Sequence, residues 1–295
     1  MGIIRYILLA CSVLLLVSCW REDLSNCWKD DLQITLVAEK FQATDNETEA
    51  VMADKIDFYD YYLYRVEDDD MVIVKKGRVA KSEFQGGSHQ LNFVELPFGK
   101  YKLAAVANRE NAGIGDDLLN VSFNNENQRN DFFVATGDFS MNCYCEHSYD
   151  LTLYNTQGEL EIRLKDLPAN IVGAKIQVTN LYEKCGVDLK YSDRTSCENY
   201  VEAVTVDGEN MIVADLWMFP TVINEKSQVT MTLFMDVYLE NAVVATAYTL
   251  ESAVIRNNTI RIAKDFKGEL LGQPEFNITI NPTWDDVEGD SNVDV

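Results

Sequence analysis

Apolar and polar residues alternate along most of this chain. In "ELEIRLK", residues 159–165, Leu160, Ile162 and Leu164 fall on one face and Glu159, Glu161, Arg163 and Lys165 on the other. That period of two is the signature of a half-buried β-strand. "QVTMTLFMDV" repeats it with Val229, Met231, Leu233, Met235 and Val237, and "TIRIAK" and "FNITINP" with Ile260, Ile262, Ile278 and Ile280. In the first half, "KIDFYDYYLYRV", "DMVIVKKGRV", "HQLNFVEL" and "YKLAAVAN" are rich in the β-branched and aromatic residues that pack well on a pleated surface. No convincing helical stripe crosses these regions. A short helix is expected only near "GIGDDLLN", with Gly115 or Asp116 as its cap. The pattern predicts an all-β protein built from antiparallel β-sandwiches.

The pattern also recurs. The stretch from "KIDFYDYYLYRVEDDDMVIVKKG" to "VELPFGKYKLAAVAN" matches that from "GAKIQVTNLYEKCGVDLKYS" to "DLWMFPTVINEKSQVTMTLFM". Each reads as a hairpin, a turn region, and a Pro-containing turn into a long alternating strand. Residues 67–70 are a solvated hairpin tip; calcium loops space their acids and bend at a glycine. Pro97 and Gly99 suit positions i+1 and i+3 of a tight turn. The short strand–L-P-x-G-x-Y–strand pattern around them resembles transthyretin-like and carboxypeptidase-regulatory-like sandwiches. Two tandem sandwiches follow, residues 32–148 and 149–284. Their boundary falls just before Tyr149 or at the turn of residues 155–158.

The N-terminus breaks the alternation. Arg5 is the only charge before residue 19, and residues 6–17 are nearly all apolar. This is the shape of a secretory signal, too short for a comfortable membrane span. It ends in Leu16-Val17-Ser18-Cys19, which resembles the lipobox of bacterial lipoproteins. Residues 1–18 are then a lipoprotein signal peptide, Cys19 the acylated residue, and residues 19–31 a tether. Several acyl chains anchor stably where one is marginal. Glu22 and Asp23 resemble a surface-export signal or are plain solvated linker.

The chain has 295 residues and a net charge of −23. That length supports two cores, and that charge argues against nucleic acid or an anionic lipid surface as an electrostatic partner. Beyond Cys19, five cysteines remain in an exported chain, where disulfides persist. Cys185 and Cys197 flank a turn-rich stretch and form the first candidate pair. Cys27 is paired with Cys143 or Cys145, and an odd thiol is left over.

Catalytic chemistry is sparse. There are two histidines, His89 and His147, and no nucleophile elbow, phosphate loop, dinucleotide glycine motif or H-E-x-x-H. No cofactor is expected, and the chain is read as a non-enzyme. "CYCEH" places Cys143, Cys145 and His147 at the spacing that shares one strand face, a possible zinc or copper set without an evident fourth ligand. Disulfide use of the same cysteines is the preferred reading. Tyr59, Tyr61, Tyr62 and Tyr64 form two rows on opposite faces of one hairpin strand. They are either core and cross-strand ladder or a sugar-binding platform.

The lipobox with "SCWREDLSNC", the "LYRVEDDD" hairpin, "ELPFGKYKLAAVAN", the "HSYDLTLYNTQGELEIRLKDLP" junction and "MFPTVINEKSQVTMTLFM" occur in an order that resembles the fimbrillin superfamily of Bacteroidetes. The resemblance is closest to lipid-anchored minor subunits that root type V pili. It implies two transthyretin-like sandwiches in series and an outer-membrane lipoprotein anchor. The implied partners are fimbrial shaft or accessory subunits, joined by strand addition. A surface adhesin or glycan-binding lipoprotein of the same fold is the alternative. An anchor would stay uncut, with its first-domain groove filled by its own strand, residues 32–39. Phe276, Ile278, Ile280 and Trp284 mark a last strand that is either donated or folded back. Residues 285–295 are an acidic tail.

Overall fold

The computed structural model describes residues 28–41, 50–51, 55–68, 70–84, 88–109, 118–124, 132–143, 146–236, 242–267 and 276–281. The expectations about Cys19, Cys27, Cys145, Trp284, the cap at Gly115 or Asp116, and the acidic tail lie outside them. Among the described residues the chain is almost wholly β-strand, as the alternation requires. The expected helix near residue 118 is a single 3-10 turn, Leu118–Asn120.

The first sandwich is built from β1 (Lys29–Ala38), β4 (Phe58–Glu67), β5 (Asp70–Ala80), β6 (Ser88–Pro97), β7 (Gly99–Ala107), β9 (Phe133–Met141) and β10 (Ser148–Asn155). The two-residue strands β2 (Lys40–Phe41) and β3 (Ala50–Val51) pair with each other. The seven strands run in the order β5-β4-β7-β9-β10-β1-β6. The sheet folds over at β10, whose residues 148–153 pair with β1 while Tyr154 and Asn155 pair with β9. Between the two leaves lies a core with Leu32, Ile34, Leu36, Tyr59, Leu63, Tyr101, Leu103 and Phe133. The hydroxyl of Tyr101 donates to the Pro97 carbonyl at 2.5 Å, which pins the β6–β7 turn.

The second sandwich contains β11 (Gly158–Lys165), β12 (Ile171–Gly186), β13 (Tyr191–Glu202), β14 (Val204–Val206), β15 (Glu209–Met218), β16 (Ser227–Asp236), β17 (Ala242–Ser252), β18 (Thr259–Asp265) and β19 (Asn277–Asn281). One sheet runs β14-β15-β11-β18-β19 and the other β13-β12-β16-β17. Leu160, Ile162, Leu164, Val229, Met231, Leu233, Ile260 and Ile262 all point into the core, on the faces their alternation assigned.

The two sandwiches share one topology. β1 lies antiparallel to β6 and parallel to β10; β11 lies antiparallel to β15 and parallel to β18. The leaf β5-β4-β7-β9 answers to β13-β12-β16-β17. The repeat is therefore real at the level of strand order. Strand β10 pairs inside the first sandwich. The crossing accordingly falls at the later of the two expected places, residues 156–157, and the second sandwich starts at Gly158 instead of Tyr149.

A third core joins the halves. Tyr62, Tyr64, Ala104, Val106, Phe132 and Val134 from the first sandwich pack with Cys185, Val187 and Phe219 from the second. Strand β8 (Ser122–Asn124), part of the first half by sequence, pairs antiparallel with the end of β12. This explains why β7 is buried from Leu103 through Ala107 and does not alternate. One of its faces lies in the first core and the other under the second sandwich.

Candidate functional site

For a chain without catalytic motifs, the functional candidates are surfaces and strand edges. The N-terminal strand comes first. β1 is an interior strand, hydrogen-bonded on both sides, and Leu32, Ile34 and Leu36 are fully buried. Burying three such side chains is worth roughly 5–9 kcal/mol. The groove that β1 fills is closed by the chain itself. The strand begins at Lys29, three residues before the expected start, because Lys29 and Asp30 already pair with Pro97 and Leu96.

The last strand behaves differently. β19 lies antiparallel on β18, with Ile278 opposite Ile262 and Ile280 opposite Ile260. It has folded back, the outcome the sequence left open. Among the described residues it is an edge strand with only β18 beside it. Phe276, just before it, meets Tyr248 edge-on at 5.2 Å and, with Ile278, packs against the second core.

The tyrosine hairpin forms no exposed platform. Tyr59 is fully buried and Tyr61 packs beside it against the first core, while Tyr62 and Tyr64 lie in the core between the sandwiches. Alternation split the two rows correctly. The burial of the second row depends on a sheet far along the chain. Burial also raises the Tyr59 phenol well above its usual range.

The cysteines depart from expectation. The β12–β13 register places Cys185 opposite Tyr191 and Cys197 opposite Val178. Val178 and Cys185 are seven residues apart on one strand, so the two thiols are separated by roughly 20 Å. A disulfide needs Cα atoms about 4.4–6.8 Å apart. The Cys185–Cys197 pair is therefore excluded: the hairpin turn lies at residues 187–190, close to Cys185, and is not centred between the two. Burial pushes the Cys185 thiol up to about 12, which leaves it inert. Cys143 is an exposed free thiol.

The strand face expected for Cys143 and His147 is also absent among the described residues. β9 ends at Met141 and β10 starts at Ser148, so Cys143 and His147 both lie outside the strands and share no strand face; Cys145 is outside the described residues. His147 is buried, with Nε2 2.8 Å from the Asn142 carbonyl and 3.7 Å from Asp30. A different cluster, which sequence did not single out, brings the carboxylates of Glu159, Glu161 and Asp215 within 4.8 Å of one another. It is an ion network on the outer face of β11, β15 and β18. Arg163 pairs with Asp215 and Glu161, Arg261 pairs with Glu161 at 2.5 Å, and the Thr259 hydroxyl donates to Glu159 at 2.7 Å. Two guanidinium groups already pair with two of the three acids, Glu161 and Asp215. Glu159 titrates above the usual range, chiefly because burial disfavours its charge.

The junction between the sandwiches is polar at one end. Arg256 donates to both oxygens of Glu39, at 2.9 and 2.7 Å, and to the Asn155 carbonyl at 2.9 Å. Asn155 N–H donates to Glu39 in turn. Tyr191 O–H donates to the Thr156 carbonyl at 2.6 Å, and the Lys55 ammonium sits 4.3 Å above the Trp217 ring. These contacts tie the crossing segment to both domains. No local pattern signals them, since the partners lie up to 217 positions apart.

No family model matches the chain, and no curated protein matches it either. Solved structures do match its fold. A protein of Bacteroides thetaiotaomicron provisionally named an adhesin superposes with a TM-score of 0.54 at 12% identity, covering 88% of this chain and 98% of its own. A second from the same species, provisionally named polysaccharide-binding, gives 0.54 at 11% identity, covering 88% and 99%. The fimbrial anchor protein Mfa2 of Porphyromonas gingivalis gives 0.49 at 12% identity, covering 85% and 97%. The chain thus shares the fold of the two Bacteroides thetaiotaomicron proteins along nearly their whole length.

Proposed function

We propose that this chain is a structural subunit of a surface fimbria, and specifically its lipid-anchored base in the outer membrane. The observation that carries the proposal is the position of β1. The segment that begins at Cys19 leads directly into an interior strand of the first sandwich. An acyl anchor on Cys19 would be continuous with a strand that cannot be withdrawn without opening the core. A fibre pulling on such a subunit loads hydrogen bonds on both sides of β1. The lipobox and the order of motifs along the chain support the same assignment. The adhesin alternative loses its nominated surface, because the tyrosines of β4 are taken up in packing.

The test is a pull-down from crosslinked outer membranes, comparing the native chain with Cys19→Ala. A fibre-forming subunit recovered with the native chain, together with fibres shed into the medium by the variant, is the expected result. Membrane attachment that depends on Cys19 but brings down no fibre subunit would rule the anchor out and return the chain to the adhesins.

A further inference from the structure

A trough of about 790 Å³ opens where the two sandwiches meet. Its floor is the outward face of the first sandwich, with Ile73 from β5, Tyr64 from β4, Lys102 from β7 and Thr136 from β9. Those four strands are adjacent, so the floor is roughly 14 Å across. Leu119 of the 3-10 turn borders it, and Val187 and Asp188 of the β12–β13 turn complete it. The second sandwich supplies Val187 and Asp188, so the trough exists only while the two domains are docked. Domain junctions are favoured places for small ligands.

The lining selects among ligand chemistries. A sugar stacks on an open aromatic face, and the one ring in the lining, Tyr64, is 2% exposed. A bare divalent ion needs several converging oxygens; the lining offers two carboxylates, one from each domain. An anion needs a free cation. Lys102 is the one base of the lining, and its ammonium is held by Asp138 at 2.8 Å. The acids are less committed. Asp70 has no ion-pair partner among the described residues. Asp188 is paired at 2.6 Å with Lys190, whose side chain is 86% exposed. A pair that exposed is worth little, so another ammonium displaces Lys190 at small cost. Met71, Ile73 and Leu119 add apolar surface beside the acids. The net charge of −23 concentrates cations at such a cleft.

We propose that the trough binds an aliphatic diamine or polyamine. Its methylene chain lies against Met71, Ile73 and Leu119. One ammonium pairs with Asp70, and another pairs with Asp188 in place of Lys190. The two acids belong to different sandwiches, so the bound amine bridges them and favours the docked arrangement. Neither the tether nor the membrane takes part, so the proposal stands or falls apart from the anchor assignment.

The test is isothermal titration calorimetry on the full chain at about 0.15 M salt, which screens distant surface charge. Cadaverine is expected to saturate a single site and to bind about tenfold more tightly than Mg²⁺, which carries the same charge. Asp70→Asn is expected to weaken cadaverine about tenfold. Asp70→Glu, which keeps the charge, weakens it less. Asp207→Asn, in the exposed β14–β15 turn, leaves binding unchanged and controls for the loss of one negative charge. Cadaverine should also raise the thermal unfolding midpoint of the native chain, and raise that of Asp70→Asn less. No saturable binding, binding matched by Mg²⁺, or binding indifferent to Asp70→Asn would overturn the proposal. So would tighter binding of the peptide acetyl-Gly-Lys-Gly-amide than of cadaverine, because the ammonium would then belong to a protein partner.

Discussion

The two sandwiches share one strand order but close differently. The first is sealed at its N-terminus: β1 is interior and β10 bends to pair with both β1 and β9. The second is finished at its C-terminus by β19, an edge strand that arrives last and leans on one neighbour. A strand paired on both sides and buried on its inner face is part of the domain's global stability. A strand paired on one side can open alone. The first half is thus suited to bear load from the N-terminus, and the second has one strand that can leave without unfolding the rest.

The sharpest way to break this comparison is to damage matching strands. Ile34→Asp buries an unpaired carboxylate in β1 and is expected to cost on the order of 5 kcal/mol, as much as a domain's whole stability. The chain should lose its cooperative calorimetric transition. Ending the chain after residue 275 removes β19 and should cost less, about 2–4 kcal/mol for Phe276 and Ile278 together. The urea midpoint of the chain should fall while its transition stays cooperative. If the two changes cost the same, the distinction between interior and edge strand is wrong.

Arg256→Ala tests how far the halves act together. It leaves the Glu39 carboxylate, which is 16% exposed, without its guanidinium. Because the Arg256 side chain is 32% exposed, a loss of about 2–3 kcal/mol is expected, below that of a fully buried pair. One calorimetric transition should then become two. A native chain that already unfolds in two steps would show that the shared core does not couple the sandwiches.

The smallest effect is electrostatic and confined to the second sandwich. Glu159 has a raised folded-state pKa. A carboxyl raised on folding favours the native state below its ordinary pKa, and that contribution is lost as pH rises through the raised value. Glu159→Gln keeps an acceptor for Thr259. It should match the native chain at about pH 4 and be slightly more stable at about pH 7. A gain at the lower pH alone would reverse the sign and refute the assignment. A chemical check of the register comes alongside: iodoacetamide should label Cys143 in the native chain and leave Cys185 until unfolding.

Sequence by itself determined the fold class, because strand alternation is local. The inward faces of β11, β16 and β18, and the hairpin tip at residues 67–70, are where "ELEIRLK", "QVTMTLFMDV", "TIRIAK" and "RVEDDD" put them. It also showed the repeat, since equivalent hairpins reuse one pattern. Tertiary structure alone decided what lies against each outward face. Tyr62 and Tyr64 looked like a candidate platform until β12 and Phe219 covered them. Cys185 and Cys197 looked like a pair until the hairpin turn proved to sit beside one of them. The trough beside β5 needs Val187 from the other domain. Period-two patterning reports which side of a strand is apolar. The partner that buries that side is chosen by contacts across hundreds of residues, and no local window contains them.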